Sequence, residues 1–423
     1  MSAKPEILLL THRIPYPPDK GDKIRSWRLF RHLAEKFSVH LACFVDDPQD
    51  FSHTEYLRSM CASAAFIPLR PTAAKLKSMR GLLTGDPLSI QYFRSHEMLR
   101  TVDEMRARPL MAEVAFSSTM AQYISSPKPE RPRIVDFCDA DSEKWLQYAC
   151  ETTPPMAWIF HREGARLKRL ENEVANWADV SFAVTPEEAG MFNRRSEIQK
   201  TVRWWSNGVD ADYFDPALKM RHIGGGADVV FIGAMDYRAN SEAVLRFTAN
   251  VWPRVYRTLP DLTFAIVGAR PTKQVHALDG RNGVMVTGRV DDVRPWLSQA
   301  KLVVAPLRVA RGVQNKILEA MAMAKPVIAS PEAATGLTFG DAEPLFIADN
   351  EEAMAAALIR LVNNRTERER LGKHAREAIM AHYNWQSQLQ RFEGAVMPVI
   401  GLQSPPQQAS YQEKHHYLAH RQA

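Results

Sequence analysis

Two doubly wound α/β domains in series are predicted by three features of this 423-residue chain. Short apolar runs alternate with amphipathic stretches through the first half, the pattern of βα units. The alternation breaks near residues 206–226 and then restarts. Several apolar runs end in a glycine or a small-residue turn, and the ligands of open α/β sheets sit at such strand ends. The length supports the same division, because one core rarely serves so long a chain.

In order along the chain, residues 7–10 read as a buried strand followed by the Pro/Gly-rich loop 15–22. Residues 24–37 read as a helix with Trp27, Phe30, Leu33 and Ala34 on one face. Strands are expected at 39–45, 65–69, 114–116 and 134–137, a long charged helix at 162–178, and a strand at 180–185. Residues 204–210 form a turn, and the segment ending in Gly224-Gly225-Gly226 is the linker candidate. The second set of strands is expected at 229–232, 262–267, 283–287, 302–305 and 327–329. Helices are expected at 242–256, 317–323, 351–362 and 367–383. From residue 402 Gln, Ser, Pro and His dominate, which predicts a disordered tail.

A hydrophobic content of 45% and a charged content of 24% are globular values. The net charge of +6 is carried by interleaved acidic and basic residues, a pattern that speaks for a solvated surface and against nucleic acid. Four cysteines without a CxxC pair read as reduced thiols of a cytoplasmic protein, with no metal cluster. No secretory signal and no run near 20 apolar residues is present, so the protein is expected to be soluble or peripheral. Residues 75–85 place Lys75, Lys77 and Arg80 among Leu76, Met79, Leu82 and Leu83. They read either as an interfacial basic helix or as an ordinary amphipathic surface helix.

The most informative stretch is 310–322, a glycine-containing loop that enters a short apolar helix. Its helix N-terminus offers free N–H groups and the positive dipole end to a phosphate, and Lys316 adds a full charge. Glu319 would repel a phosphate but suits a sugar diol such as a ribose. The alternative is a surface i,i+3 ion pair. Gly233 and Gly288 end two other strands and reinforce a ligand site in this half. The loop 19–23 could touch donor phosphate or acceptor, or be a lysine-rich turn. Asp136-Phe137-Cys138-Asp139-Ala140-Asp141-Ser142 is the densest acidic cluster at a strand end. There Asp136 reads as packing on a neighbouring element, and Asp139 is the catalytic-side candidate. His12, His40, His161 and His222 have no metal-like spacing and read as structural or exposed.

These pieces together resemble retaining glycosyltransferases of family 4, with the GT-B fold of two Rossmann-like α/β/α domains around an interdomain cleft. More narrowly, the chain resembles the sugar transferases of PEP-CTERM/exosortase exopolysaccharide loci. The resemblance rests on residues 11–23, 135–145, 206–210, 231–240, 287–295 and 312–324, and extends over residues 7–385. It implies that Glu319 binds the donor ribose, that Gln314, Asn315 and Lys316 hold the diphosphate, and that Gly21 faces the transferred sugar. Arg311 stands where many relatives carry a glutamate that contacts that sugar. Cys138-Asp139 stands in place of a His-Asp pair. Ala234 occupies the place of a common arginine, with Arg238 as an imperfect substitute.

The expected organisation is an acceptor domain at 1–205, a nucleotide-sugar donor domain at 206–385, a terminal helix at 386–400 packing back on the first domain, and a tail at 401–423. Asp139, Lys316 and Glu319 are the expected catalytic residues. Donor contacts are expected from Gly21, Gly233, Arg238, Gly288, Arg289, Arg311, Gly312, Gln314 and Asn315, and acceptor contacts from Asp22 and Lys23. The expected reaction is metal-independent, cofactor-free hexosyl transfer from a nucleoside-diphosphate sugar to a lipid-linked or oligosaccharide acceptor. Contact with an anionic membrane at its inner face goes with that acceptor. The rival readings are a nucleotide-sugar epimerase or hydrolase on the same fold, and a non-catalytic scaffold of a polysaccharide assembly complex.

Overall fold

The computed structural model describes residues 4–18, 21–126, 131–310, 312–339 and 343–403. Two parallel sheets organise them. The first contains β1 (Glu6–Thr11), β2 (Ser38–Val45), β3 (Ser63–Pro68), β4 (Ala112–Phe116), β5 (Arg133–Asp136), β6 (Val180–Ala183) and β7 (Val202–Trp204), in the order β3-β2-β1-β4-β5-β6-β7. The second contains β8 (Val229–Ile232), β9 (Phe264–Val267), β10 (Val284–Gly288), β11 (Leu302–Ala305), β12 (Val327–Ala329) and β13 (Phe346–Ile347), in the order β10-β9-β8-β11-β12-β13. Strands covered on both faces favour apolar residues at successive positions, which is why several appear in sequence as near-continuous apolar runs. Leu8, Leu9 and Leu10 are fully buried, as are Val229, Val230 and Phe231.

In each sheet the order reverses beside the first strand, between β1 and β4 and between β8 and β11. Crossovers leave in opposite directions there and open a crevice at the carboxyl ends of the strands. The β1–β4 register puts Thr11 opposite Phe116, so these two strands end flush at the crevice.

The helices that bear on the site and its surroundings are α1 (Gly21–Lys36), α2 (Pro71–Ser78), α3 (Gly81–Thr84), α4 (Asp141–Cys150), α5 (Met156–Trp177), α6 (Arg238–Arg246), α7 (Asn315–Ala322) and α8 (Trp385–Val396). The chain passes between the sheets at residues 205–210 and returns at 383–385. The Val209 N–H donates to the Tyr383 carbonyl at 2.8 Å, and a Cβ on Gly208 would stand 2.8 Å from the Trp385 nitrogen. Only glycine lets the two crossing segments lie so close. Beyond the crossing, α8 packs on the first sheet, with Phe392 5.1 Å from the Phe182 ring and 5.6 Å from the Trp205 ring.

Two local expectations change in the structure, and two edge strands are added to those expected. The single helix expected at 242–256 is α6 followed by a π turn, Phe247–Val251, and a further helix, Trp252–Thr258. Pro253 cannot donate into a helical ladder, and a wide turn absorbs the missing bond. Residues 75–85 form two short helices instead of one, and Gly85 closes the second at φ +82°. The edge strands β7 and β13 are too short to leave a periodic signal. No helix among the described residues is long and apolar enough to cross a membrane. The sequence tail beyond residue 403 and Asp19-Lys20 lie outside the described residues.

Candidate functional site

Helix α7 begins at the second sheet's crevice, after the loop that leaves β11. Its apolar positions Ile317, Leu318, Ala320, Met321 and Ala322 are buried, so Asn315, Lys316 and Glu319 lie on the remaining stripe. Gln314 at the N-cap supplies no side-chain hydrogen bond to the first turn, and its carbonyl accepts from the Ile317 N–H at 2.9 Å, so only the N–H groups that precede Ile317 can turn to a ligand.

Lys316 is held by its surroundings. Its ammonium donates to Asn240 Oδ1 at 2.5 Å and stands 4.5 Å from the centre of the Phe231 ring. Asn240 reaches that place because of Gly233: a Cβ there would stand 2.6 Å from the Asn240 amide nitrogen, which donates to the Ala234 carbonyl at 2.9 Å. Gly233 therefore makes room for the side chain that positions Lys316. Burial pushes the Lys316 ammonium down to about 7 and the Glu319 carboxyl up to about 7, and each charge partly restores the other. The two interact through space, without an ion-pair contact among the described residues, so the surface ion-pair alternative is not what forms.

The first domain meets this site from across the cleft. A Cβ on Gly21, at the start of α1, would lie 3.4 Å from the Asn315 amide nitrogen. Gly312 adopts φ +63°, and a Cβ there would stand 2.6 Å from Asp139 Oδ1 and 2.9 Å from Val184 Cγ1. Both the conformation and the space require glycine at that position. Burial pushes the Asp139 carboxyl up to about 6. Lys144 pulls it down, and the neighbouring Asp141 adds to the rise.

A buried chain of contacts ties the two halves together. Asp136, fully buried, accepts from Arg25 Nε at 3.1 Å, from Arg25 Nη2 at 2.9 Å and from Trp205 Nε1 at 2.8 Å, and its other oxygen accepts from the Cys138 N–H at 2.9 Å. The Arg25 guanidinium lies 3.5 Å from the centre of the Trp205 ring. Arg25 Nη1 donates to Asn207 Oδ1 at 3.3 Å, and Asn207 donates to Asn315 Oδ1 at 2.9 Å. The Asn315 side chain is thus engaged in this bridge.

The structure thus brings together Gly21, Asp139, Gly312, Gln314, Asn315, Lys316 and Glu319, with Gly233 acting through Asn240. The other expected residues are placed differently. Lys23, expected on the acceptor side, is 1% exposed, with its ammonium 2.7 Å from Asp50. A charge buried with its own partner is not offered to an acceptor. Asp22 is held by His12 Nε2 at 3.0 Å and by Arg13 at 2.8 Å. Arg238 pairs with Glu242 and stands over Tyr148 and Phe160 of the first domain, 4.8 and 5.9 Å from the ring centres. Gly288 ends the edge strand β10, with Arg289 exposed beyond it. Arg311 lies outside the described residues.

Asn240, Asn207, Arg25 and His12 were not legible as site residues. His12 stacks on Phe116 at 6.0 Å, at the crevice of the first sheet. The signal that could have found it is its place directly after β1, the strand beside the reversal.

Two parallel sheets of this order, joined by two crossings and facing each other through strand ends and helix N-termini, define a two-domain α/β protein of the GT-B fold. Residues 226–364 match the family described as glycosyl transferases group 1. Over 252 residues the chain is 28% identical to a phosphatidyl-myo-inositol mannosyltransferase of Propionibacterium freudenreichii, a match covering 55% of this chain and 61% of that protein. The match therefore spans about three fifths of the relative's length. Among solved structures, sucrose-phosphate synthase of Thermosynechococcus elongatus superposes with a TM-score of 0.68 at 18% identity, covering 94% of this chain and 100% of that one. Anabaena HepE in complex with UDP and glucose does so with a TM-score of 0.65 at 12% identity, covering 92% and 99%. Likeness at such identities is one of fold. With the family match, it supports a glycosyltransferase.

Proposed function

We propose that this protein transfers a sugar from a nucleoside-diphosphate sugar to a hydroxyl of a lipid-linked glycan, with retention at the anomeric carbon. The observation that carries the reading is Lys316, fixed by Asn240 in the first turn of an uncapped helix at the crevice, with Glu319 one turn on. The diphosphate would lie on the α7 N-terminus and Lys316, and the ribose diol would donate to Glu319. As the glycosidic bond breaks, negative charge grows on the leaving diphosphate. Preorganised N–H groups and an ammonium stabilise that charge without reorganising. The leaving phosphate takes the acceptor proton on the same face, and Asp139 lies across from it at Gly312.

The structure of HepE with UDP and glucose supports a nucleotide-sugar ligand on this fold. The name of the mannosyltransferase relative supports a lipid acceptor. The narrower reading, a family 4 enzyme of PEP-CTERM-associated exopolysaccharide synthesis, rests on the motif set given above. A thermal-shift screen across UDP-, GDP- and ADP-sugars tests the proposal, because a ligand that binds only the native state raises the melting temperature. A shift with none of them would overturn it.

Glu319→Gln keeps the shape of the side chain but removes charge-assisted acceptance, worth about 1.5–3 kcal/mol for bonds to charged groups. Donor affinity is expected to fall by roughly 10–100-fold, with the melting temperature of the unliganded protein kept or raised. Calorimetric titration checks both, and unchanged affinity would remove Glu319 from the ribose site.

Donor binding should also depend on pH with two opposed limbs. Lys316 binds the diphosphate as the ammonium, so affinity falls as pH rises above about 7. Glu319 binds the ribose as the carboxylate, so affinity falls as pH drops below about 7. An intact nucleotide sugar, whose diphosphate diester does not titrate in this range, should therefore bind best near neutrality. Lys316→Met should abolish the alkaline limb, and Glu319→Gln the acid limb. A flat profile for the unsubstituted protein would contradict the assignment.

A further inference from the structure

Between β3 and β4, helices α2 and α3 hold an apolar surface that nothing among the described residues covers. Leu83 is 91% exposed, Leu76 73% and Met79 56%. Helix α5 extends the patch with Trp158, 65% exposed. Arg162, one turn after Trp158 on the same stripe of α5, donates through Nη2 to the Gly81 carbonyl at 2.5 Å, which fixes α5 beside α3. The same segment carries Arg70, Lys75, Lys77 and Arg80 and no acidic residue over 70–83; the next, Asp86, is paired with Arg94 at 3.3 Å. Large apolar side chains stand out here from short helices whose charged residues over 70–83 are all basic. They match a deformable apolar phase beneath anionic headgroups.

The patch also adjoins the cleft. Phe160, two residues after Trp158 and so turned to the other side of α5, packs 5.3 Å from Trp145 and 6.2 Å from Tyr148. Tyr148 and Phe160 both meet Arg238 of the second domain. The helix that carries Trp158 outward therefore forms the cleft rim with its opposite face.

We propose that α2, α3 and the first turn of α5 form a docking face for an anionic bilayer, which holds the cleft mouth at the lipid surface. The purpose of such docking rests on the lipid-linked acceptor proposed above; the docking itself does not. The test is co-sedimentation of the full chain, without donor or acceptor, with vesicles of phosphatidylcholine alone or mixed with phosphatidylglycerol. Binding is expected to the mixed vesicles and to weaken with salt. The Leu76→Ser/Leu83→Ser double variant is expected to bind at least roughly tenfold more weakly. Lys75→Glu/Arg80→Glu is expected to lose the dependence on phosphatidylglycerol. All four side chains are exposed, so circular dichroism melts should match those of the unsubstituted protein.

Failure of the unsubstituted protein to sediment with mixed vesicles, or equal sedimentation of the variants, would overturn the proposal. A concentration-dependent dimer lost in the same variants would also overturn it, by assigning the face to self-association. Failure here leaves sugar transfer to a water-soluble acceptor untouched, and that reaction is assayed separately.

Discussion

Lys316→Ala is expected to lower kcat by roughly 10²–10³-fold, the loss typical when one preorganised donor to a developing anion is removed. In this protein the donor is a full charge in a partly buried site, held on one side by Asn240 Oδ1 and on another by the Phe231 ring. Burial already pushes the ammonium down to about 7, so its charged form is costly to the unliganded folded chain. Removing it should therefore leave the melting temperature unchanged or slightly higher while turnover collapses. Lys316→Arg should not rescue, because the place is shaped for a compact ammonium against Asn240, and the planar guanidinium is not a substitute. Steady-state transfer rates with a labelled donor, beside thermal melts of both variants, measure the two effects separately. Near-wild-type turnover in the alanine variant would sink the assignment of α7 as the diphosphate site.

The largest expected stability effect belongs to Asp136→Ala. The carboxylate is fully buried and accepts from Arg25, Trp205 and the Cys138 N–H. Every partner is a donor, so the ionised form suits the place even though burial pushes the carboxyl up. Without it the Arg25 guanidinium is stranded as a buried cation, at a cost of about 3–5 kcal/mol. Urea unfolding should show a midpoint shift of that size. The Arg25→Met/Asp136→Leu pair should recover much of the loss, because removing both charges leaves no stranded ion. A single-variant loss below about 1 kcal/mol would mean that water reaches Arg25 and that the network is not sealed. Because Arg25 also reaches Asn207, and Asn207 reaches Asn315, the single variant should weaken donor binding as well.

Much of the fold was legible because parallel strands buried on both faces favour apolar residues at successive positions, and such runs are local. Residues 7–10 of β1 and the strands β8, β9 and β11 follow that rule, whereas β4 departs from it with Glu113, buried and paired with Arg106 at 2.8 Å. The short edge strands β7 and β13 carry too few residues to show it. The break of the helix at 247–251 follows from Pro253, whose missing donor is visible in sequence but whose consequence, a wide turn instead of an end, depends on the core around it. Within the site, Lys316 and Glu319 were legible as a pair because one turn of helix places them on one stripe. Lys23 was misread because its position in a charged loop gave no hint that Asp50 would accompany it into the interior.

By itself, the sequence determined the two βα series, the strand-loop-helix that carries Lys316 in its first turn and the strand-end glycines Gly233 and Gly288. Tertiary structure decided which residues meet. Asn240 contacts Lys316 across 76 positions, and Arg25 contacts Asp136 across 111. Gly312 takes its conformation against Asp139 of the other domain. The physical reason is that periodicity reports only neighbours along one element. Contacts across a cleft depend on strand order and on the two chain crossings, and no local pattern encodes those.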